Sequence, residues 1–439
     1  MGNRNEVFFE MDTLQLYELV RETGFSICTD SRRIKEGDAF FALRGDNFNG
    51  NSFAARAIAG GASFAIIDDS SFMGQGTILV ENVLEELQAI ASIHRKGLSI
   101  PVLAVTGTNG KTTTKELLSC VLACKYKVHN TPGNLNNHIG VPLTLLLSPP
   151  DSEFMIVEMG ANHIGEISLL CDIARPGYGI ITNIGAAHLE GFGSIEGVVT
   201  AKSELYTYLA SRKGIVLFNS EDELLKSLLK KHDVKSYPYM GNNQVRIREV
   251  IEDPFLKINM VIDGQDYILK SKLIGRYNYH NIMAAIGVGL YFDIKAESII
   301  EAIQNFIPDN NRSQFMETAN NTVICDAYNA NPVSMSMALD SFINIKRENR
   351  TIIIGDMLEL GKYTREEHSK VIERLLPEKD IRVILVGPVF YSLNTGTGYM
   401  AFENVMQLMK YLSENPLRNN FILVKGSRGI GLERTFDLF

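Results

Sequence analysis

The stretch "PVLAVTGTNGKTTTKELL" (101–118) constrains the chain most. A β-type apolar run enters two closely spaced glycines, and a helix-type run leaves them. Such a joint aims backbone N–H groups and the positive end of a helix dipole at one point, which suits an anion. Gly107 and Gly110 allow close backbone approach, Lys111 stands where a lysine reaches outer phosphates, and the Thr112 hydroxyl stands where one binds Mg²⁺. The standard phosphate loop has a glycine five residues before Gly110; here that residue is Val105. The loop reads as a variant in which Thr108, Asn109, Gly110, Lys111, Thr112 and Thr113 hold the phosphates of a nucleotide. A merely structural glycine turn is the alternative.

A chain of 439 residues is too long for one ordinary core. Residues 1–97 alternate short helices and strands, with "DAFFALRG" and "SFAIIDD" as strands and "VLEELQAIASIHRKG" as a helix ending at a glycine. After the link "LSIP", β-runs "EFMIVEMG", "YGIITNIG" and "GIVLFN" alternate with helical stretches, the pattern of a mostly parallel sheet with covering helices. "VRIREVIED", "FLKINMVIDG" and "YILKSKLIG" read as antiparallel strands before the helix "NYHNIMAAIGVGLYF". Past "FIPDNN" the alternation resumes with "NTVICDAYN", "RTIIIGDM", "RVILVG" and "FILVKG". The expected fold is α/β in three domains: 1–97, a smaller N-terminal unit; 98–308, a central nucleotide-binding unit; 309–439, a Rossmann-like C-terminal unit.

The net charge of −8 weighs against nucleic acid as a main partner, since a basic face is the usual footprint. The five cysteines, Cys28, Cys120, Cys124, Cys171 and Cys325, are scattered, and no His or second Cys pair completes a zinc set. They read as buried free thiols, with Cys120 and Cys124 on one helix face. No apolar h-region opens the sequence, and no apolar run approaches the roughly 18 residues needed to span a bilayer. A cytoplasmic protein without membrane insertion is expected.

Further candidates stand at strand ends, where open α/β sheets bind their ligands. Glu158 follows "FMIV" and suits Mg²⁺. His188 lies in the glycine-rich "TNIGAAHLEGFGS"; a lone histidine is more often structural. Lys202 sits in the helical "TAKSELYTYLA", where spacing alone assigns it no function.

Together these segments resemble the Mur ligases, ATP-dependent amide-forming enzymes of peptidoglycan synthesis, whose phosphate loop also lacks the first glycine. The resemblance rests on "TGTNGKTTT", "TPGNLNNHIGVPLTLL", "VEMGANHIGEI", "ITNIGAAHLEGFGSIEGVVTAKSEL", "GRYNYHNIMAA", "DAYNANPVSM", "GDMLELG" and "KGSRG". The N-terminal "TDSRRIKEGDAFFALRGDNFNG" resembles that family's UDP-binding domain. "DAYNANP" and "GDMLELG" are most similar to the branch that adds D-alanyl-D-alanine to UDP-N-acetylmuramoyl-tripeptide. The resemblance implies an acyl-phosphate mechanism with ATP and two Mg²⁺, in a monomer. It implies Thr112, Glu158, His188 and Lys202, the last as a carbamate, as the metal set, and Lys111, His188 and Lys202 as catalytic. It implies Asn278, Asn281, Arg312 and Asp326 at the nucleotide. It places Asp30, Ser31, Arg32, Asn134 and Asn137 at the UDP-sugar substrate, and Tyr328, Asn329 and Asn331 at the dipeptide. This chain departs from the family with Tyr277, where a histidine is common before the first adenine-side asparagine. The alternatives are a family member adding a single amino acid, a folylpolyglutamate-synthase-like ligase, a nucleotide switch or kinase, and a non-catalytic binding protein.

Overall fold

The computed structural model describes residues 11–45, 47–308 and 312–439. Residues 1–10, on which the expectation of no leader rests, and residues 309–311, where the third domain is expected to begin, lie outside the described residues. By packing, the chain forms two compact units: Met1–Ala104 with Tyr126–Ala161 and Gly165–Tyr178, and Val105–Lys125 with Asn162–Ile164 and Gly179–Phe439.

In the first unit a parallel sheet runs in the order Ile27–Cys28, Ala39–Phe41, Phe64–Ile67, Thr77–Leu79. Its two central strands are buried at every residue, as parallel strands covered on both faces must be. Helix Thr13–Glu22 starts at a capping box of Asp12 and Gln15. Helix Val83–Gly97 starts at Asn82, whose side chain accepts from the Leu84 and Glu85 N–H groups. Near its end Arg95 is buried, and its guanidinium donates to the carbonyls of Leu98 (2.7 Å), Ala174 (2.8 Å), Ile100 (3.3 Å) and Arg175 (3.3 Å). A buried cation needs such acceptors, and here they fasten the "LSIP" link.

A six-stranded sheet has the order Lys235–Met240, Ile215–Asn219, Tyr178–Ile181, Val102–Thr106, Phe154–Glu158, Val128–Asn130. Strand Val102–Thr106 is buried throughout, so its end delivers the glycine loop from a fixed base. In the second unit the antiparallel strands Val245–Glu252, Phe255–Ile262 and Gln265–Ile274 form their own sheet. The middle one alternates half-buried and buried positions, the signature of one covered face. The C-terminal sheet runs Gln314–Glu317, Asn321–Asp326, Asn420–Lys425, Arg350–Gly355, Ile381–Val386, Met400–Phe402. All its pairs are parallel except the first, which fits the expected Rossmann-like layering. Met335, Leu339, Phe342, Ile352, Ile354 and Leu385 fill its core on one face, and Val323, Ile353, Ile384, Leu408, Ile422 and Val424 on the other.

All five cysteines are free, but only Cys171 and Cys325 are buried. Cys28 and Cys120 are half-buried and Cys124 is exposed, which corrects the expectation of five buried thiols. The helix from Lys111 ends at Leu122, and Cys124 follows on the next turn with its Sγ 3.7 Å from Cys120 O, on the side that it was expected to share with Cys120. No helix among the described residues is long and apolar enough to cross a membrane.

Candidate active site

The loop at the end of Val102–Thr106 is built by two steric demands. Gly107 has φ +140°, and a Cβ there would stand 2.1 Å from Thr182 Oγ1. Gly110 has φ +79°, and a Cβ there would stand 2.5 Å from Asn281 Oδ1. The loop therefore needs glycine at 107 and 110, whereas position 105 lies inside a buried strand where valine packs. Gly110 is also the N-cap of helix Lys111–Leu122 and brings no side chain to the first-turn N–H groups, which suits an anion there. Lys111 Nζ folds back onto the carbonyls of Gly107 (2.8 Å) and Thr108 (3.1 Å). Thr112 is buried in the first turn, with Thr113 half-buried beside it.

Thr182 and Asn183 hold the loop from the next strand end. Thr182 Oγ1 donates to Asn109 O at 2.6 Å, Asn183 Nδ2 donates to the same oxygen, and Asn183 Oδ1 accepts from Asn109 N–H. The Thr108 N–H donates to Asn183 O, and the Gly185 N–H donates to Thr108 Oγ1. Helix Asn278–Tyr291 packs along helix Lys111–Leu122. Thr114 Oγ1 donates to Asn281 Oδ1 (3.1 Å), Asn281 Nδ2 to Asn278 Oδ1 (2.8 Å), and Asn278 Nδ2 to Ile274 O (2.7 Å). Both buried asparagines thus brace the loop helix through their amides. Tyr277, the departure from the family pattern, bonds Ser313 Oγ through its hydroxyl, and burial pushes its pKa up.

His188 has φ +50° and its Nδ1 bonds the Glu359 carboxylate; this imidazole holds the Glu359 pKa below the usual carboxylate value. Its ring meets Phe192 edge-on at 6.4 Å, and Lys202 Nζ lies 5.6 Å from the centroid of the same ring. Lys202 is 2% exposed, so the helical lysine is no solvated face. In the first unit Glu158 is 1% exposed, with Oε1 accepting from Asn136 Nδ2 at 2.8 Å.

The C-terminal strand ends bring three loops together. Lys425 Nζ donates to Asp326 Oδ2 (2.6 Å) and Asn329 O (3.3 Å), and the Ser313 N–H donates to Asp326 Oδ1 (3.2 Å). The Arg312 guanidinium carbon lies 3.7 Å from the Tyr328 ring centroid, a cation–π stack. Asn331 Oδ1 caps helix Pro332–Asn344 by accepting from Ser334 N–H, and its Nδ2 donates to Asn109 Oδ1 at 2.8 Å. The "DAYNANP" segment is thereby fastened to the phosphate loop. Asn329 is exposed, with Oδ1 accepting from the Ala330 N–H.

The "GDMLELG" loop is set by His368, which is fully buried. Its Nδ1 lies 2.7 Å from Thr364 O and its Nε2 accepts from the Met357 N–H at 3.0 Å, so the neutral tautomer carries its proton on Nδ1. Burial pushes its pKa below the ordinary imidazole value. The unfolded chain then binds the proton more readily, so this contribution is complete above about pH 6.5 and is lost as pH falls below it. In urea titrations from pH 7.5 to 5.5, His368→Gln should lose less stability than the unaltered protein. Parallel curves would contradict the assignment.

In the first unit Asp30 and Arg32 pair bidentately (2.8 and 2.9 Å), and this holds the Asp30 carboxyl down at about 2. Ser31 is half-buried between them. Asn134 is exposed, and Asn137 Oδ1 accepts from the Ile139 and Gly140 N–H groups at a helix start. Sequence reasoning missed Asn136, Thr182, Asn183, Glu359 and Lys425. All lie in stretches quoted above from the sequence, but their partners are 22 to 171 residues away.

Comparison with known proteins gives one consistent pattern. Residues 26–105 match the Mur ligase family catalytic domain, 105–289 the Mur ligase middle domain, and 311–428 the Mur ligase glutamate ligase domain. The UDP-N-acetylmuramoyl-tripeptide--D-alanyl-D-alanine ligase of Bacillus subtilis is 32% identical over 93% of this chain and 91% of its own. The crystal structure of MurF from Acinetobacter baumannii superposes with a TM-score of 0.84 at 27% identity, covering 96% of this chain and 98% of that one. MurF from Thermotoga maritima in complex with ADP superposes with a TM-score of 0.82 at 25% identity, covering 94% and 96%.

Proposed function

Because the chain belongs to the Mur ligase family, we propose that it uses ATP to join D-alanyl-D-alanine to UDP-N-acetylmuramoyl-tripeptide. The end-to-end relation to the Bacillus subtilis enzyme of that name carries this reading. The resemblance at "DAYNANP" favours it over single-residue addition, and the tie between Asn331 and Asn109 brings that segment to the phosphate loop.

A carboxylate is a poor electrophile toward an amine in water. The terminal carboxylate of the tripeptide attacks the γ-phosphorus, ADP leaves, and an acyl phosphate remains. The dipeptide amine then attacks the acyl carbon, sheds a proton, and phosphate leaves. Positioning and charge stabilisation dominate such transfers. The Gly107–Lys111 loop would cradle the phosphates, and Lys111 would leave the loop carbonyls to meet charge on the moving phosphoryl group. Asn278 and Asn281 brace the loop helix, and the adenine would lie along their helix. Arg312 and Asp326 would close on the nucleotide from the third domain, with domains at 1–97, 98–308 and 309–439.

Among the described residues no three His, Cys, Asp or Glu side chains stand together as a metal cluster. Mg²⁺ takes few protein ligands and completes its shell with water and substrate phosphates. A buried carboxylate (Glu158), a buried hydroxyl (Thr112) and an imidazole braced by Glu359 (His188) are suitable donors. Lys202 would join them as a carbamate, which turns a buried cation into an anion. Bound Mg²⁺ would neutralise charge on the transferring phosphate. Asp30, Ser31, Arg32, Asn134 and Asn137 would receive the UDP-sugar, and Tyr328, Asn329 and Asn331 would shape the dipeptide pocket. The protein would act as a cytoplasmic monomer.

Phosphate release from ATP, followed with each substrate omitted in turn, tests the proposal. Release should require both the UDP-tripeptide and D-alanyl-D-alanine. Release that ignores the dipeptide would favour a switch or kinase.

A further inference from the structure

The "KGSRG" segment (425–429) has a buried half and an exposed half. Lys425 and Ser427 are turned inward. Lys425 is committed to Asp326 and Asn329 O; Ser427 Oγ donates to Ala330 O (3.3 Å) and accepts from the Leu358 N–H (3.0 Å). These bonds tie the segment to both "DAYNANP" and "GDMLELG". Arg428 is turned outward. Its guanidinium carbon lies 5.4 Å from the Tyr328 ring centroid, on the ring that also carries Arg312. It is exposed, and among the described residues it has no ion-pair partner. Beside it Leu358 is 45% exposed, and a Cβ on Gly429 would stand 2.8 Å from Leu358 Cδ1. An exposed guanidinium, an aromatic face and an uncovered aliphatic side chain therefore meet at the ends of two parallel strands, where such sheets bind ligands.

We propose that Arg428 binds the free carboxylate of the incoming dipeptide and sets the preference for an acceptor that carries one; this rests on the ligase reading above. Guanidinium matches carboxylate geometry with paired N–H donors. The acceptor's amine must face the acyl phosphate, so its carboxylate lies at the other end and needs a separate cation. Leu358 supplies an apolar contact for a methyl side chain.

The test compares D-alanyl-D-alanine with D-alanyl-D-alaninamide, which keeps the amine and methyl groups and loses the charge. The unaltered protein should prefer the acid by about 10- to 100-fold in kcat/KM, the scale of a charge-assisted contact. Arg428→Gln should shrink that preference to about 2-fold, with KM for ATP and for the UDP-tripeptide unchanged. Arg428→Lys, which keeps the charge, should retain most of it. Equal use of both acceptors by the unaltered protein, or a full preference in Arg428→Gln, would overturn the inference while leaving the ligase reading intact. If the unaltered protein adds neither acceptor, the ligase reading itself fails and takes this inference with it.

Discussion

Lys111→Ala should lower kcat by on the order of 10²- to 10³-fold, the loss typical of removing one preorganised transition-state donor. The ammonium rests on the carbonyls of Gly107 and Thr108, a few bonds from where the phosphates would lie. Its charge is thus held at the phosphate loop by those two carbonyls. The KM for UDP-tripeptide should move by less than about 3-fold, because the effect belongs to the transferring phosphoryl group. Lys111→Arg should recover little, since a planar fork does not replace a compact ammonium at this turn. Steady-state kinetics at saturating ATP check this. A kcat within about 3-fold of the unaltered value would remove Lys111 from the reaction.

The second large effect is steric. Gly107→Ala drives a methyl group into Thr182 Oγ1 at 2.1 Å and the Thr182 nitrogen at 3.0 Å, on a backbone with φ +140°. Neither the neighbouring strand end nor the dihedral can yield cheaply. The loop must open, breaking its bonds to Thr182 and Asn183. Nucleotide affinity should fall by about 100-fold or more, measured by calorimetry with an ATP analogue. Val105→Gly is the informative control. It restores the glycine of the standard loop, yet position 105 is a buried strand residue, so it should weaken folding without improving nucleotide binding. Tighter binding in Val105→Gly would show that the variant loop is a compromise.

What the sequence made readable follows from burial. Long central strands such as "VLAVT" and "TIIIG" are continuous apolar runs because both faces are covered. The strands missed are the edges. Val128–Asn130, Lys235–Met240, Gln314–Glu317 and Met400–Phe402 each end a sheet. Edge strands are kept short and polar to discourage pairing between molecules, and Pro238 inside one of them is tolerated only there. Their pattern was too weak to read. The site divides in the same way. Gly107, Gly110 and Lys111 were evident because a phosphate loop is local. Residues whose work lies in a distant partner were not: nothing in "ITNIG" says that Thr182 collides with any side chain at 107. Nor does "GDMLELG" reveal that Glu359 holds His188. Helical spacing alone assigns Lys202 no function, whereas its burial beside Phe192 marks it out from the exposed lysines of other helices.

The central claim is that ATP activates the tripeptide carboxylate for attack by the dipeptide. The most direct measurement is a single mass-resolved reaction with UDP-tripeptide labelled with ¹⁸O in its terminal carboxylate, ATP, Mg²⁺ and D-alanyl-D-alanine. The account predicts a product heavier by the dipeptide and one labelled oxygen in the released phosphate. Phosphate released without label, or no product containing the dipeptide, would contradict it.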